Sequence, residues 1–169
     1  MRRMEQQQHT GKDCREITRA KNTAYRLLAL RSRSRAELVQ KLQGREFGAY
    51  VIDSVMADLD RLGYINDLEF AVQWAANRVR LKGFGRRRIE QELRRKGIAP
   101  DVIRAAVSEA VPVDDEVAAA RKAAEKKLRT LNSVGPDVRR RRLAGFLERQ
   151  GYSIEIIRSL LTGRTDRAG

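Results

Sequence analysis

Apolar residues recur along the chain at spacings of three and four, the period of an amphipathic helix, and no stretch of useful length alternates as a strand would. The pattern predicts an all-α chain. Ile17, Ala20, Ala24, Leu27 and Leu28 share one face of a first helix, predicted from about Asp13 to near Arg31, with Asp13 and Glu16 spaced as a capping box. Ser34 and Glu37 repeat that signature ahead of Leu38 and Leu42, and a third helix is predicted from Tyr50 to Leu62. Gly63 stops it. Asn66 and Glu69 stand at the cap and third positions of the next helix, which carries Phe70, Trp74 and Val79 before Gly83 and Gly85 break it. Further helices are predicted from Gly85 to Lys96, from Pro100 to Ala110, from Asp115 to Leu131, from the Gly135-Pro136 break to Gln150, and on to Leu161.

The same pattern repeats at long range. A shift of 51 positions lays Leu38 on Ile89, Leu42 on Leu93, Val51 on Val102, Ile52 on Ile103 and Val55 on Ala106. A shift of 54 lays Ile89 on Leu143, Leu93 on Leu147, Gly97 on Gly151, Val102 on Ile156, Ile103 on Ile157 and Ala106 on Leu160. Arg95-Lys96-Gly97-Ile98 thereby aligns with Arg149-Gln150-Gly151-Tyr152, with glycine where a helix ends in a left-handed residue. A repeat of about 50 residues holds three short helices, each burying one face against the other two. The expected architecture is a tandem array of three three-helix units, elongated and curved: residues 13–64, 65–111 and 112–162, between disordered tails at 1–12 and 163–169.

Charge adds a partner class. With 36 Lys and Arg against 22 Asp and Glu, the 169-residue chain carries a formal net charge of +14, which attracts polyanions. Arg86, Arg87, Arg88, Arg94, Arg95 and Lys96 crowd one predicted helix, and with Ile89 and Leu93 facing inward, Arg87 and Arg94 fall on an outward stripe with Arg95 beside it. A single run of this kind is also what an ordinary solvated helix face looks like. Recurrence favours a binding track: Arg139, Arg140, Arg141 and Arg142 occupy the equivalent turn of the third unit, and Arg31, Arg33 and Arg35 lead into the equivalent helix of the first. Trp74 is expected to pack in the core, and Tyr64 and Tyr152, each following a helix-stopping glycine, to close over their turns.

Catalytic and cofactor chemistry finds little support. Gly83 and Gly85 superficially resemble a dinucleotide fingerprint, but Arg88 stands where its last glycine belongs and no strand precedes them. One cysteine, Cys14, and one histidine, His9, exclude an internal disulfide and a multi-ligand zinc site. No apolar run is long enough to span a bilayer, and Met1 to Gly11 lacks the apolar core of a signal peptide. The expectation is a cytoplasmic, monomeric binding protein, not an enzyme, without cofactor or membrane attachment.

The ordered set Gly63-Tyr64-Ile65-Asn66-Asp67, Phe70-Ala71, Trp74, Arg78, Lys82-Gly83, Gly85, Ile89, Glu92-Leu93 and Lys96-Gly97-Ile98 resembles the RecX family. Leu27-Leu28-Ala29-Leu30-Arg31, Ser34, Glu37-Leu38 and Lys41-Leu42 look like its first repeat, and Leu147, Gly151-Tyr152 and Ile156-Ile157 like its third. The resemblance spans about Ala24 to Leu161 and implies a bacterial regulator that binds along RecA filaments on single-stranded DNA. It would restrain RecA's ATP hydrolysis, strand exchange and coprotease activity, and so tune recombination and the SOS response. Direct DNA contact is compatible with the charge. A stand-alone DNA-binding helical module acting without RecA is the competing reading.

Overall fold

The computed structural model describes the backbone of residues 2–162 and the side chains of residues 13–162. Nine helices and no strand occur among them: α1 (Arg2–Leu30), α2 (Arg35–Gln43), α3 (Ala49–Arg61), α4 (Asp67–Lys82), α5 (Arg86–Arg95), α6 (Pro100–Ala110), α7 (Val113–Arg129), α8 (Pro136–Gln150) and α9 (Ile154–Thr162). By packing the described residues fall into two compact units, one running to residue 70 and taking in 96–98, the other made of residues 71–95 and those from 99 onward.

In the first unit α1, α2 and α3 enclose a core of Ala20, Ala24, Leu27, Leu38, Leu42, Val51, Ile52, Val55, Met56 and Leu59. Ser34 caps α2 as its spacing requires, its Oγ accepting from the Glu37 N–H at 3.2 Å. The same hydroxyl donates to the Lys96 carbonyl at 2.7 Å, so a cap residue also ties in the segment Lys96–Ile98. A Cβ on Gly97 would lie 2.3 Å from the Ala36 Cβ, and its φ of 73° is a left-handed conformation, so both contact and backbone call for glycine. Asn66 likewise caps α4, accepting from the Glu69 N–H at 3.1 Å.

One expectation is corrected here. Backbone 2–12, expected as a disordered tail, continues α1, so Asp13 and Glu16 lie inside the helix and form no capping box. The physical reason is propagation: Arg, Met, Glu, Gln and Lys are good helix formers, no proline interrupts them, and the single Gly11 costs only about 1 kcal/mol against alanine. The expected tail at 163–169 lies outside the described residues.

In the second unit α5 packs on α6, and α7, α8 and α9 pack on one another around Ala120, Ala124, Leu143, Leu147, Tyr152 and Ile157. The residues aligned by the internal repeat, Ile89 with Leu143 and Leu93 with Leu147, are all buried, as are Leu38 and Leu42 in the first unit. Pro100 begins α6 and Pro136 begins α8, where a missing N–H is harmless.

Candidate functional site

The site is built where the start of α5 meets the end of α8. The first amides of a helix and its last carbonyls have no partner within that helix. Here they satisfy one another: the Gly85 N–H donates to the Gln150 carbonyl at 2.8 Å and the Arg87 N–H to the Gly151 carbonyl at 3.2 Å. Such an approach requires two glycines. A Cβ on Gly85 would sit 2.5 Å from the Gly151 carbonyl oxygen, and one on Gly151, whose φ is 89°, would sit 2.4 Å from the Arg88 Cβ. A third partner comes from α7, whose buried Glu116 accepts the Arg86 N–H at 2.9 Å and caps α5 in place of a residue of its own. Burial holds the Glu116 carboxyl above its ordinary range, against the opposing pull of the Arg86 amide and charge. Tyr152 closes the joint, donating its hydroxyl to the Gly83 carbonyl at 2.8 Å; burial, with Glu116 nearby, pushes its pKa up to about 12 and keeps it a donor.

This joint frames a cleft of about 410 Å³ lined by Arg87, Arg88, Arg95 and Arg149, with Gln91 and two carboxylates, Glu92 and the exposed Glu148. Arg88 is fixed in place, its guanidinium 3.8 Å from the Phe84 ring centroid and donating to the Arg149 carbonyl at 2.8 Å. Arg87, Arg95 and Arg149 form no ion pair among the described residues. Glu92 is already engaged, accepting from Trp74 Nε1 at 3.0 Å and Arg78 Nε at 2.6 Å. Arg78 also lies 3.9 Å over the indole. Trp74 is therefore half-buried and joins α4 to α5 through a polar contact, where full core packing was expected. Rigid guanidinium groups around a concave surface match the oxygens of a phosphate group.

The other basic residues singled out in the sequence divide by what they already hold. Arg31 pairs with Glu37 at 3.1 Å, Arg33 Nε donates to the Leu27 carbonyl at the end of α1, Arg35 pairs with Asp60, and Arg94 pairs with Glu90 at 3.1 Å. Lys96 is held most firmly: it bonds Glu37 at 2.7 Å, lies over the Phe70 ring, and its side chain is only 15% exposed. Burial disfavours the Glu37 charge, but Arg31 and Lys96 outweigh it and bring its pKa down to about 2. Lys96 and Arg33 thus serve the fold of the first unit. Arg86 contributes its backbone to the joint. Arg139 is half-buried with its Nε shielded from solvent, and Arg140, Arg141 and Arg142 are exposed on the first turns of α8 but do not line the cleft.

Arg149 was not singled out, yet the internal alignment carries the signal, since Arg149 is the repeat equivalent of Arg95. The motif residues fall on joints: Gly63, Gly83, Gly97 and Gly151 all have positive φ, and Phe70 and Leu93 are buried. Asp67 accepts the Arg35 N–H at 2.8 Å. The two tyrosines part company: Tyr152 is buried, whereas Tyr64 stays 56% exposed and touches the Tyr25 ring edge-on. No group of three or more metal-ligating side chains occurs among the described residues, and no described helix is long and apolar enough to cross a membrane.

Fold and site together define an all-helical repeat protein with an arginine-rich cleft. Models of the first, second and third three-helix domains of RecX match residues 20–59, 66–107 and 114–161. The chain is 38% identical over 134 residues to the regulatory protein RecX of Amycolatopsis mediterranei, covering 79% of this chain and 76% of that one. Over 138 residues it is 38% identical to the regulatory protein RecX of Pelodictyon phaeoclathratiforme, covering 82% and 84%. The crystal structure of RecX from Lactobacillus salivarius superimposes with a TM-score of 0.81 at 21% identity, over 89% of this chain and 97% of that one. The chain belongs to the RecX family of regulatory proteins.

Proposed function

We propose that this protein regulates RecA by binding its filaments on single-stranded DNA and restraining ATP hydrolysis, strand exchange and coprotease activity. The reading rests on family membership, and the observation that carries its residue-level form is the arginine cleft between α5 and α8. Of the basic residues lining the cleft, Arg87, Arg95 and Arg149 are exposed and enter no ion pair among the described residues, so they are assigned to phosphate or carboxylate contact on the nucleoprotein. Arg140, Arg141 and Arg142 extend the contact along α8. The organisation into repeats at 13–64, 65–111 and 112–162 supplies successive binding units, and the protein acts as a cytoplasmic monomer without catalytic chemistry of its own.

Titrating the purified protein into RecA on single-stranded DNA and following ATP hydrolysis tests this. Inhibition well below one copy per RecA indicates action at filament ends, inhibition near saturation indicates binding along the filament, and no effect at any ratio rejects the proposal. A stand-alone DNA-binding module would bind bare and RecA-coated strands equally, with affinity falling steeply as salt rises.

A further inference from the structure

A second concave surface lies within the second compact unit, between the end of α4 and the outer faces of α7 and α8, with a volume of about 640 Å³. Its chemistry differs from that of the arginine cleft. Leu81, 66% exposed, and Phe146 supply an apolar floor, and Lys82, Lys122, Lys126 and Lys127 stand around it. Lys122 and Lys126 are one helical turn apart on α7, and the lining positions of that helix recur at three- and four-residue intervals from Ala119 to Thr130, a stripe of roughly 16 Å. No carboxylate is among the described residues lining the groove, and none of the four lysines enters an ion pair among the described residues. Like charges gathered without counter-charges repel one another, and a large exposed leucine between them remains in water.

We propose that this groove docks an acidic, amphipathic peptide segment of about ten residues from a protein partner, its apolar side chains on Leu81 and Phe146 and its carboxylates against the lysines. Carboxylates spaced one helical turn apart on such a segment meet Lys122 and Lys126 in register, and an apolar residue between them covers Leu81. This is the helix-in-groove mode with an electrostatic rim. A bare nucleic-acid backbone satisfies the lysines but leaves the leucine uncovered. The proposal stands apart from the arginine cleft and does not depend on it.

The test uses the full chain and a fluorescein-labelled synthetic 12-residue peptide with Leu and Phe one turn apart and Glu or Asp at most other positions, followed by fluorescence anisotropy. Saturable binding is expected. It should weaken at least tenfold in Leu81→Glu and in the double variant Lys122→Glu with Lys126→Glu, fall as salt rises, and persist in the triple variant Arg87→Ala, Arg95→Ala, Arg149→Ala. Circular dichroism melts should match wild type, since all the altered groove residues are exposed. Absence of binding up to millimolar peptide, equal binding by a scrambled peptide of the same composition, or equal binding by the groove variants overturns the proposal. So does loss of affinity for single-stranded DNA, and not for the peptide, in those variants, which would make the groove a nucleic-acid site.

Discussion

Alanine at Gly151 should damage the fold and the arginine cleft together, whereas alanine at Gly145, six residues earlier in the chain, should stabilise the fold. At Gly151 the φ of 89° costs an L-residue about 1–2 kcal/mol, and its Cβ would lie 2.5 Å from the Arg88 backbone nitrogen, so the two segments must part. Parting them loosens the Gly85-to-Gln150 and Arg87-to-Gly151 hydrogen bonds, each contributing about 1 kcal/mol. The sum is roughly 3–4 kcal/mol, which for a unit of roughly 100 residues lowers Tm by about 12–30 °C. Gly145 lies inside α8, and a Cβ there meets only the far end of the Arg149 side chain at 3.3 Å, so Gly145→Ala should gain up to about 1 kcal/mol from helix propensity. Thermal melts by circular dichroism, with partner binding measured alongside, provide the assay. A Gly151→Ala protein melting within about 2 °C of wild type would refute the close approach of α5 and α8 from which the cleft is built.

Three further outcomes follow from the packing and the charges. Leu93 is fully buried, so Leu93→Ala should cost about 2–5 kcal/mol, and an unchanged Tm would place it on the wrong face of α5. Glu37 is held at about 2, below its ordinary 4.5, so the stability it contributes is fully present above pH 4.5 and is lost as the pH falls toward 2; urea titrations at pH 6 and pH 3 should show this loss in wild type and a smaller one in Glu37→Gln. Glu116 is shifted the other way, so its charge at neutral pH opposes folding. Glu116→Gln should therefore match or exceed the wild-type Tm at pH 7, the gain shrinking at acid pH, while Glu116→Leu removes the α5 cap and should lower Tm.

Local physics explains which features could be read from the chain alone. Ser34 with Glu37 and Asn66 with Glu69 are caps because a side-chain oxygen reaches an amide three residues on, a relation fixed by sequence spacing. Leu38, Ile89 and Leu143 are buried because helical period alone places them inward. Partnerships between distant residues leave no such trace. Lys96 reads as one more cation in a basic run, yet it is consumed by Glu37, 59 positions away, and Glu116 reads as an ordinary acidic residue of a helix start, yet it caps α5. Tyr64 and Tyr152 each follow a helix-stopping glycine, but only Tyr152 is buried, with its hydroxyl on the Gly83 carbonyl, 69 positions away. Arg149 was within reach of the internal alignment, since the repeat that pairs Gly97 with Gly151 also pairs Arg95 with Arg149.

Engagement of a nucleoprotein filament through the cleft between α5 and α8, as proposed above, can be measured by co-sedimentation at one fixed salt concentration. Wild type and the triple variant Arg87→Ala, Arg95→Ala, Arg149→Ala would be compared on RecA-coated and on bare single-stranded DNA. Wild type should pellet preferentially with the coated strand, and the variant, folded and with its melt unchanged, should do so at least tenfold more weakly. Equal sedimentation of the two proteins with the filament, or equal affinity of wild type for coated and bare DNA, would contradict the proposed engagement.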